Sequence, residues 1–156
     1  MNRSNLITAL ENANVQAFLH AIRLGEGTSA DIGYKTIVGG SSFNDFSHHP
    51  NVRIFIRRYG VWSTAAGAYQ IINKTWLALV RQYGFENFSP DNQDQAAVAL
   101  IIEKHALEDI LSGDPATAAK KCNAVWASLP GSASGQRTVH LPFFIAEYQK
   151  YGGAIG

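Results

Sequence analysis

The segment from Ala96 to Ile102 is the densest apolar run in the chain, and it constrains the fold more than any other stretch. Ser89 and Pro90 precede it as an N-cap with proline at the first helical position. A helix that is apolar on most sides is normally the buried centre of a small domain. The run is much shorter than the ~18 residues that span a bilayer. We therefore predict a central core helix and no stable membrane insertion.

The composition limits what can surround this helix. The chain has 156 residues, of which 46% are hydrophobic and 16% charged, so disorder is excluded and a single domain over residues 1–156 is expected. The net charge of +1 argues against a nucleic-acid partner, which needs many cations. Cys122 is the only cysteine, so neither an internal disulfide nor a cysteine-rich zinc site is possible. We expect a monomer that needs no metal and no cofactor.

Helical spacing recurs on both sides of the central run. Val15, Phe18, Leu19 and Ile22 fall on one helix face, which predicts a first main helix ending near Leu24. Later helices are predicted over 72–83, from Asp114-Pro115 through Leu129, and over 141–148, and Tyr69-Gln70 are expected to open a helix after Gly67.

The stretch between the first two of these helices has no helical period. It contains β-leaning pieces at 35–38 and 42–46, separated by Gly39-Gly40, and then a loop through Ile54-Phe55-Ile56. The predicted fold class is therefore α+β: a mostly helical domain with a small β element after the first main helix. Trp76, Trp126 and Cys122 are expected in its core.

Glu26 is the carboxylate in the least favourable place. It stands between Gly25 and Gly27 at the C-terminal end of the first main helix, where the helix dipole disfavours a negative charge. That position, and any burial, raises the pKa of the carboxyl, as a general acid near neutral pH requires. We also expect the glycines to leave room for a substrate. An isolated glutamate is more often a solvated surface residue, so Glu26 alone does not identify a site.

Several short motifs occur together in a fixed order: residues 24–28 (LGEGT), 37–40 (IVGG), 67–70 (GAYQ) and 125–131 (VWASLPG). This combination resembles the lambda phage endolysins, a family of lytic transglycosylases with a lysozyme-like fold. The resemblance extends from about Phe18 to Gly153. It implies a peptidoglycan substrate cut between N-acetylmuramic acid and N-acetylglucosamine. Glu26 matches the single catalytic acid, which protonates the glycosidic oxygen and then takes the proton of the C6 hydroxyl to leave a 1,6-anhydro sugar.

Two alternatives stay open at this point, a hydrolytic muramidase and a non-catalytic glycan-binding module on the same fold. Most glycosidases need two carboxylates. The hydrolytic phage lysozymes typically place Asp nine and Thr fifteen residues after the catalytic Glu, and these positions hold Lys35 and Ser41 here. The absence of a second carboxylate at this spacing favours transglycosylation. Members of the lambda endolysin family, which this chain resembles, often have Asp where this chain has Lys35.

Seven further residues are candidates for substrate binding. By position or motif, they are Tyr34, Asp45, Trp62, Tyr69, Gln70, Ser134 and Gln136. Each has a structural alternative: the tyrosines are equally plausible as packed side chains, and Asp45 as a turn residue. Trp62 is expected to offer a stacking platform, and Ser134 and Gln136 to lie on a flexible rim.

The histidines and arginines of residues 48–58 suggest a metal or phosphate site at first sight. Adjacent His48 and His49 lack the spacing of zinc ligands, so we reject a metal site. Arg57 and Arg58 are expected to form a solvated face or to contact muropeptide carboxylates.

The N-terminal residues lack the apolar core of a signal peptide, because Glu11 and Asn12 interrupt it. We expect the protein to reside in the host cytoplasm and to act on the cell wall in the periplasm. The resemblance implies that a holin, a membrane pore-forming protein, provides that access.

Overall fold

Helix α4 (Pro90–Glu103) is the centre of the fold, as its apolar sequence predicts. The structure, a computed structural model, describes residues 2–156. Every side chain from Gln95 to Ile101 is buried, and Ser89 caps the helix by accepting a hydrogen bond from the Asn92 N–H at 3.3 Å. Full burial of an isoleucine or leucine contributes about 1.5–3 kcal/mol, so this helix supplies much of the stability of the domain.

The described residues form seven α-helices, a 3₁₀ turn at Asp31–Lys35 and two strands. The helices are α1 (Arg3–Leu10), α2 (Ala13–Glu26), α3 (Asn73–Tyr83), α4 (Pro90–Glu103), α5 (Leu107–Leu111), α6 (Pro115–Cys122) and α7 (Leu141–Lys150). The strands are β1 (Ile54–Ile56) and β2 (Val61–Ser63). The α+β, mostly helical fold class is confirmed. No described helix is long and apolar enough to cross a membrane.

Helix α2 is the first main helix and leads directly to the candidate site. The Asn12 side chain caps its start, and Gly27, in the left-handed region at φ +71°, ends it. Helix α2 packs along α7, where the rings of Phe18 and Phe144 meet edge to face at 5.4 Å. The predicted helix is confirmed, and it extends to Glu26.

Other helix boundaries differ from the predictions. Helix α6 ends at Cys122, and Trp126 and Leu129 lie in turns, yet all three are buried as expected of core residues. Residues 66–71 form a closed turn in which the N–H and C=O groups of Ala66 and Ile71 bond to each other, so no helix opens at Tyr69. The short helices α1 and α5 are not predicted by the spacing.

The β element predicted over 35–46 forms only in part. Thr36 and Ser42 make an antiparallel bridge, flanked by hydrogen bonds from the Phe43 N–H to the Lys35 C=O and from the Ile37 N–H to the Ser41 C=O, but no named strand develops there, and Ile37 also bridges to Ala66. The strands form instead in the segment assigned to a loop, where Phe55 lies opposite Trp62 in an antiparallel hairpin. Both segments are rich in β-branched residues, and the non-local pairing with residues 65–66 decides between them.

Candidate active site

The Glu26 carboxyl is partly buried at the last residue of α2. The Ser128 hydroxyl donates a hydrogen bond to its Oε2 atom at 2.8 Å. Burial raises the pKa of Glu26 to about 7, and the hydrogen bond from Ser128 opposes that rise. A carboxyl with this pKa is protonated in a large fraction of molecules near neutral pH, so it can act as a general acid and, once ionised, as a base.

Gly25 makes room for Ser128. A Cβ atom on Gly25 would overlap the Ser128 hydroxyl and lie close to Val139. The expectation that both flanking glycines leave space for substrate is therefore wrong for Gly25. The Ser128 side chain already occupies the space beside it. A Cβ on Gly27 would meet nothing, so the space beside Gly27 is open.

Ser128 is itself held in place from two directions. It is buried, and its C=O accepts a hydrogen bond from the Val139 N–H at 2.8 Å. Two residues earlier, the indole N–H of Trp126 donates to the Tyr69 C=O at 2.9 Å. The hydroxyl that contacts Glu26 thus belongs to a chain segment with little freedom to move.

A buried arginine orders the chain on the other side of the acid. Arg23, one helical turn before Glu26, donates from Nε to the Thr28 C=O at 2.8 Å and from a terminal nitrogen to the Ala30 C=O at 2.7 Å. The Thr28 hydroxyl donates to the Ala68 C=O. These bonds tie the end of α2 to the turn at 66–71.

Asp94, on α4, accepts hydrogen bonds from two tyrosines. The hydroxyls of Tyr34 and Tyr69 both donate to its Oδ1 atom, at 2.9 Å and 2.6 Å. The guanidinium of Arg23 lies 4.6 Å from the centre of the Tyr34 ring. Burial raises the pKa of Asp94 and raises the pKa of Tyr34 to about 12, so both tyrosines stay protonated donors.

The predicted binding residues near this network are partly committed to internal contacts. Tyr69 is 2% exposed and Tyr34 is half-buried. The Gln70 side-chain amide donates to the Thr36 and Gly67 carbonyls at 3.1 Å and 2.8 Å, and its backbone is left-handed, with φ +49°. Gln70 therefore braces the turn, and its amide oxygen has no partner among the bonds of residues 2–156.

The other four predicted binding residues are exposed. Asp45 accepts a hydrogen bond from the Ser47 N–H at 2.8 Å, which lowers the pKa of its carboxyl. Trp62 is 59% exposed on β2. Ser134 lies on the loop after Pro130, and its hydroxyl accepts from the Gln136 N–H at 3.1 Å. Within the described chain none of the four bonds to Glu26, so their roles stay predictions.

His49 and Cys122 have structural positions. His49 is buried; its Nδ1 accepts from the Asn51 N–H at 2.9 Å, which leaves Nε2 to donate to the Ile71 C=O at 2.8 Å. Burial lowers the pKa of His49 and raises the pKa of the buried Cys122 thiol to about 12. The side chains of residues 2–156 contain no group of three or more His, Cys, Asp or Glu able to hold a metal ion.

Three residues around the acid are missed by sequence reasoning. They are Ser128, which bonds to Glu26, Asp94, which orders two tyrosines, and Arg23, which orders the turn after α2. Ser128 lies inside the VWASLPG motif and Asp94 inside the predicted central helix, so the sequence indicates their segments but not their roles. Arg23 carries no such signal.

The chain is similar in sequence and in structure to known phage endolysins. A family model described as Endolysin matches residues 16–155. The endolysin of Escherichia phage lambda is 37% identical over 150 residues, covering 92% of this chain and 94% of the relative. The endolysin of Escherichia phage P2 is 37% identical over 155 residues, covering 90% and 93%. A structure of bacteriophage lambda lysozyme complexed with a chitohexasaccharide superposes with a TM-score of 0.88 at 36% identity, covering 93% of this chain and 97% of the other.

Proposed function

The chain belongs to the endolysin family, the phage enzymes that degrade peptidoglycan, and we propose that it does so as a lytic transglycosylase with Glu26 as its single acid and base. The bond cleaved joins N-acetylmuramic acid to N-acetylglucosamine, and the product carries a 1,6-anhydro-muramic acid end. A hydrolytic muramidase is the second candidate, because the lambda protein of the solved complex is called a lysozyme.

One observation carries the proposal: the only side-chain hydrogen bond to Glu26 in the described chain comes from a hydroxyl. Burial, rather than a neighbouring negative charge, is the main cause of its raised pKa. Hydrolysis by the two-carboxylate plan needs a second acid as nucleophile or base. An acceptor hydroxyl within the sugar itself removes that need.

The other carboxylates of the region are placed for different tasks. Asp94 is occupied by two tyrosine hydroxyls, and Asp45 by its own turn. Lys35, nine residues after Glu26, ends the 3₁₀ turn with its ammonium 5.8 Å from the centre of the Phe46 ring. It therefore supplies no second carboxylate at the spacing that the hydrolytic phage lysozymes use.

The residues around Glu26 suit the two halves of the reaction. The protonated carboxyl donates to the glycosidic oxygen as the bond to the muramic acid C1 breaks. The carboxylate that results keeps the Ser128 hydrogen bond, which stabilises the anion. It then accepts the proton of the C6 hydroxyl as that oxygen closes on C1, which returns Glu26 to its starting state.

Glycan binding by this chain is supported by the lambda lysozyme complex with a chitohexasaccharide. Within this chain, Trp62 offers an exposed indole face and Gln70 an unpartnered amide oxygen. Ser134 and Gln136 add polar groups on the loop that follows Ser128.

Digestion of purified peptidoglycan, followed by mass spectrometry of the products, tests the proposal. We expect anhydro-muramic acid ends from the wild type and a loss of about 10²–10⁴-fold in rate for Glu26→Gln. Glu108→Gln, at an exposed position on α5, is the matched control and should retain full activity.

Three outcomes would contradict the proposal in different ways. Reducing muramic acid ends would identify a hydrolase. Near wild-type activity of Glu26→Gln would show that another group is the acid. Binding to peptidoglycan without any product would identify a glycan-binding module.

We also propose that the protein acts as a monomer, accumulates in the host cytoplasm and reaches the periplasmic face of the wall through a holin. The resemblance to the lambda family supports this. Fractionation of infected or induced cells, with and without the holin gene, checks it: without the holin, the enzyme should remain active in extracts while the cells stay intact.

A further inference from the structure

The β1–β2 hairpin, residues 53–63, lies in a stretch that has no acidic residue. Between Asp45 and Glu86 the sequence contains five Lys or Arg and no Asp or Glu, which leaves eight basic against twelve acidic residues in the rest of the chain. Three of the five cations, Arg53, Arg57 and Arg58, belong to the hairpin. A nearly neutral chain therefore presents a local positive surface.

The three arginines are available to an external ligand. All are exposed, and none forms an ion pair with a carboxylate of residues 2–156. The Arg53 guanidinium lies 4.9 Å from the centre of the Trp62 ring, and that of Arg58 lies 5.6 Å from the centre of the Tyr59 ring. Stacking of this kind orients a guanidinium while leaving its N–H groups free at the edge.

The hairpin is not held by the core. Phe55 is 44% exposed and Trp62 is 59% exposed, and their rings pack on each other with centres 5.2 Å apart. No strand residue belongs to the hydrophobic core of the described chain. Two large aromatic side chains beside three unpaired cations are typical of a binding surface rather than of a structural element.

The hairpin is followed by the turn at 66–71, which contacts the candidate active site. Strand β2 ends at Ser63 and leads into the turn at 66–71. That turn accepts hydrogen bonds from Thr28, two residues after Glu26, and from Trp126, two residues before Ser128. The turn that follows the hairpin is thus bonded to both segments that hold the acid.

We propose that Arg57 and Arg58, at the tip of the hairpin, bind carboxylates of the peptide stems on the glycan strand, so that the preferred substrate is the anionic, peptide-bearing polymer. This inference rests on the proposed function, because it concerns the substrate of the same site. Guanidinium groups pair with carboxylates through two parallel N–H···O bonds, and the adjacent aromatic rings suit the apolar faces of sugar rings.

The test compares Arg57→Gln/Arg58→Gln with a control, Lys74→Gln/Arg81→Gln, which removes two exposed cations of α3 from the same acid-free stretch. Each protein is assayed on peptide-bearing peptidoglycan and on the same glycan after an amidase has removed the stems. Exposed ion pairs contribute up to about 1 kcal/mol each, so the hairpin variant should lose about 3–20-fold of the preference in kcat/KM for the peptide-bearing form. The control should retain the preference, and raised salt should reduce it in the wild type.

Several results would overturn the inference. An equal loss in both double variants would mean that net charge alone matters. An equal loss on both glycans would place the arginines against groups that the two glycans share, the sugar rings and the lactyl group of muramic acid, whose carboxylate the amidase exposes. Loss of sedimentation with phosphatidylglycerol vesicles, with unchanged kinetics, would identify a lipid surface as the ligand. Co-sedimentation with both glycans is measured in parallel, so the stem preference is readable even if the products disprove the proposed reaction.

Discussion

The setting of Glu26 and the β1–β2 hairpin are built in opposite ways. The acid is partly buried, and its hydrogen-bond partner Ser128 comes from a segment 102 residues away. The hairpin is local, since its strands are joined by a four-residue turn at 57–60, and its large side chains face outward.

The two regions meet two different requirements of an enzyme that cuts a polymer. The pKa of an acid is raised by removing it from water, which demands packing from several parts of the chain. Recognition of a long charged substrate demands groups that remain in water until the substrate arrives. We expect substitutions in the first region to change stability and pH dependence, and substitutions in the second to change substrate preference.

The largest expected effect is the difference in the free energy of unfolding between substitutions of two tryptophans, one in each region. Trp126 is 2% exposed and its indole N–H donates to Tyr69, whereas Trp62 is 59% exposed. Trp126→Ala should lower the free energy of unfolding by about 3–5 kcal/mol. Trp62→Ala should change it by less than about 1 kcal/mol. Urea denaturation measures both, and similar losses for the two variants would remove the distinction between the regions.

A smaller effect is expected from the charge on Glu26. Because its pKa in the folded state is about 7, above the usual 4.5, the folded protein binds this proton more tightly than the unfolded chain does. Stability from this group is therefore complete below about pH 4.5 and is lost as pH rises through 7. Glu26→Gln should be more stable than the wild type at pH 8 by about 3 kcal/mol, and closest to it near pH 4.

Thermal denaturation across this pH range measures the difference, with Glu108→Gln as the control at an exposed site. A Glu26→Gln variant that is less stable than the wild type at pH 8 would show that the carboxylate is well accommodated and its pKa is not raised.

The smallest effect concerns the hydroxyl beside the acid. Activity that needs protonated Glu26 should fall as pH rises through about 7. The Ser128 hydrogen bond lowers the pKa of Glu26, so Ser128→Ala should raise it and move the alkaline limb of the kcat/KM profile upward by about 0.5–1 pH unit. Ser112→Ala, which removes an exposed hydroxyl at the C-terminal end of α5, should leave the profile unchanged. A downward shift for Ser128→Ala would contradict the assigned direction.

The helices that carry the site are largely predictable, because their signals are local. The spacing from Val15 to Ile22, the apolar run at Ala96–Ile102 and the cap at Ser89 each act within one helix. The hairpin is not predictable in the same way. Residues 35–38 and 54–56 have similar β tendencies. In the structure Val38 and Ile37 bond to the distant Ala65 and Ala66, whereas Ile54–Ile56 pairs with Val61–Ser63, and no local pattern distinguishes these outcomes.

The acid could be identified from the sequence, but its surroundings could not. Glu26 stands out because a charged residue at a helix end between glycines is unusual, and the motifs around it resemble a known family. That Gly25 is needed to admit Ser128, and that Tyr69 faces Asp94 rather than the solvent, depends on contacts between segments that no periodicity links.

The loop from 129 to 138 is closed at its base by the bond between the Val139 N–H and the Ser128 C=O. Changes in residues 131–138, none of which is buried, therefore need not move the serine that contacts the acid. A search for altered wall specificity can therefore randomise residues 131–138 without replacing a core residue.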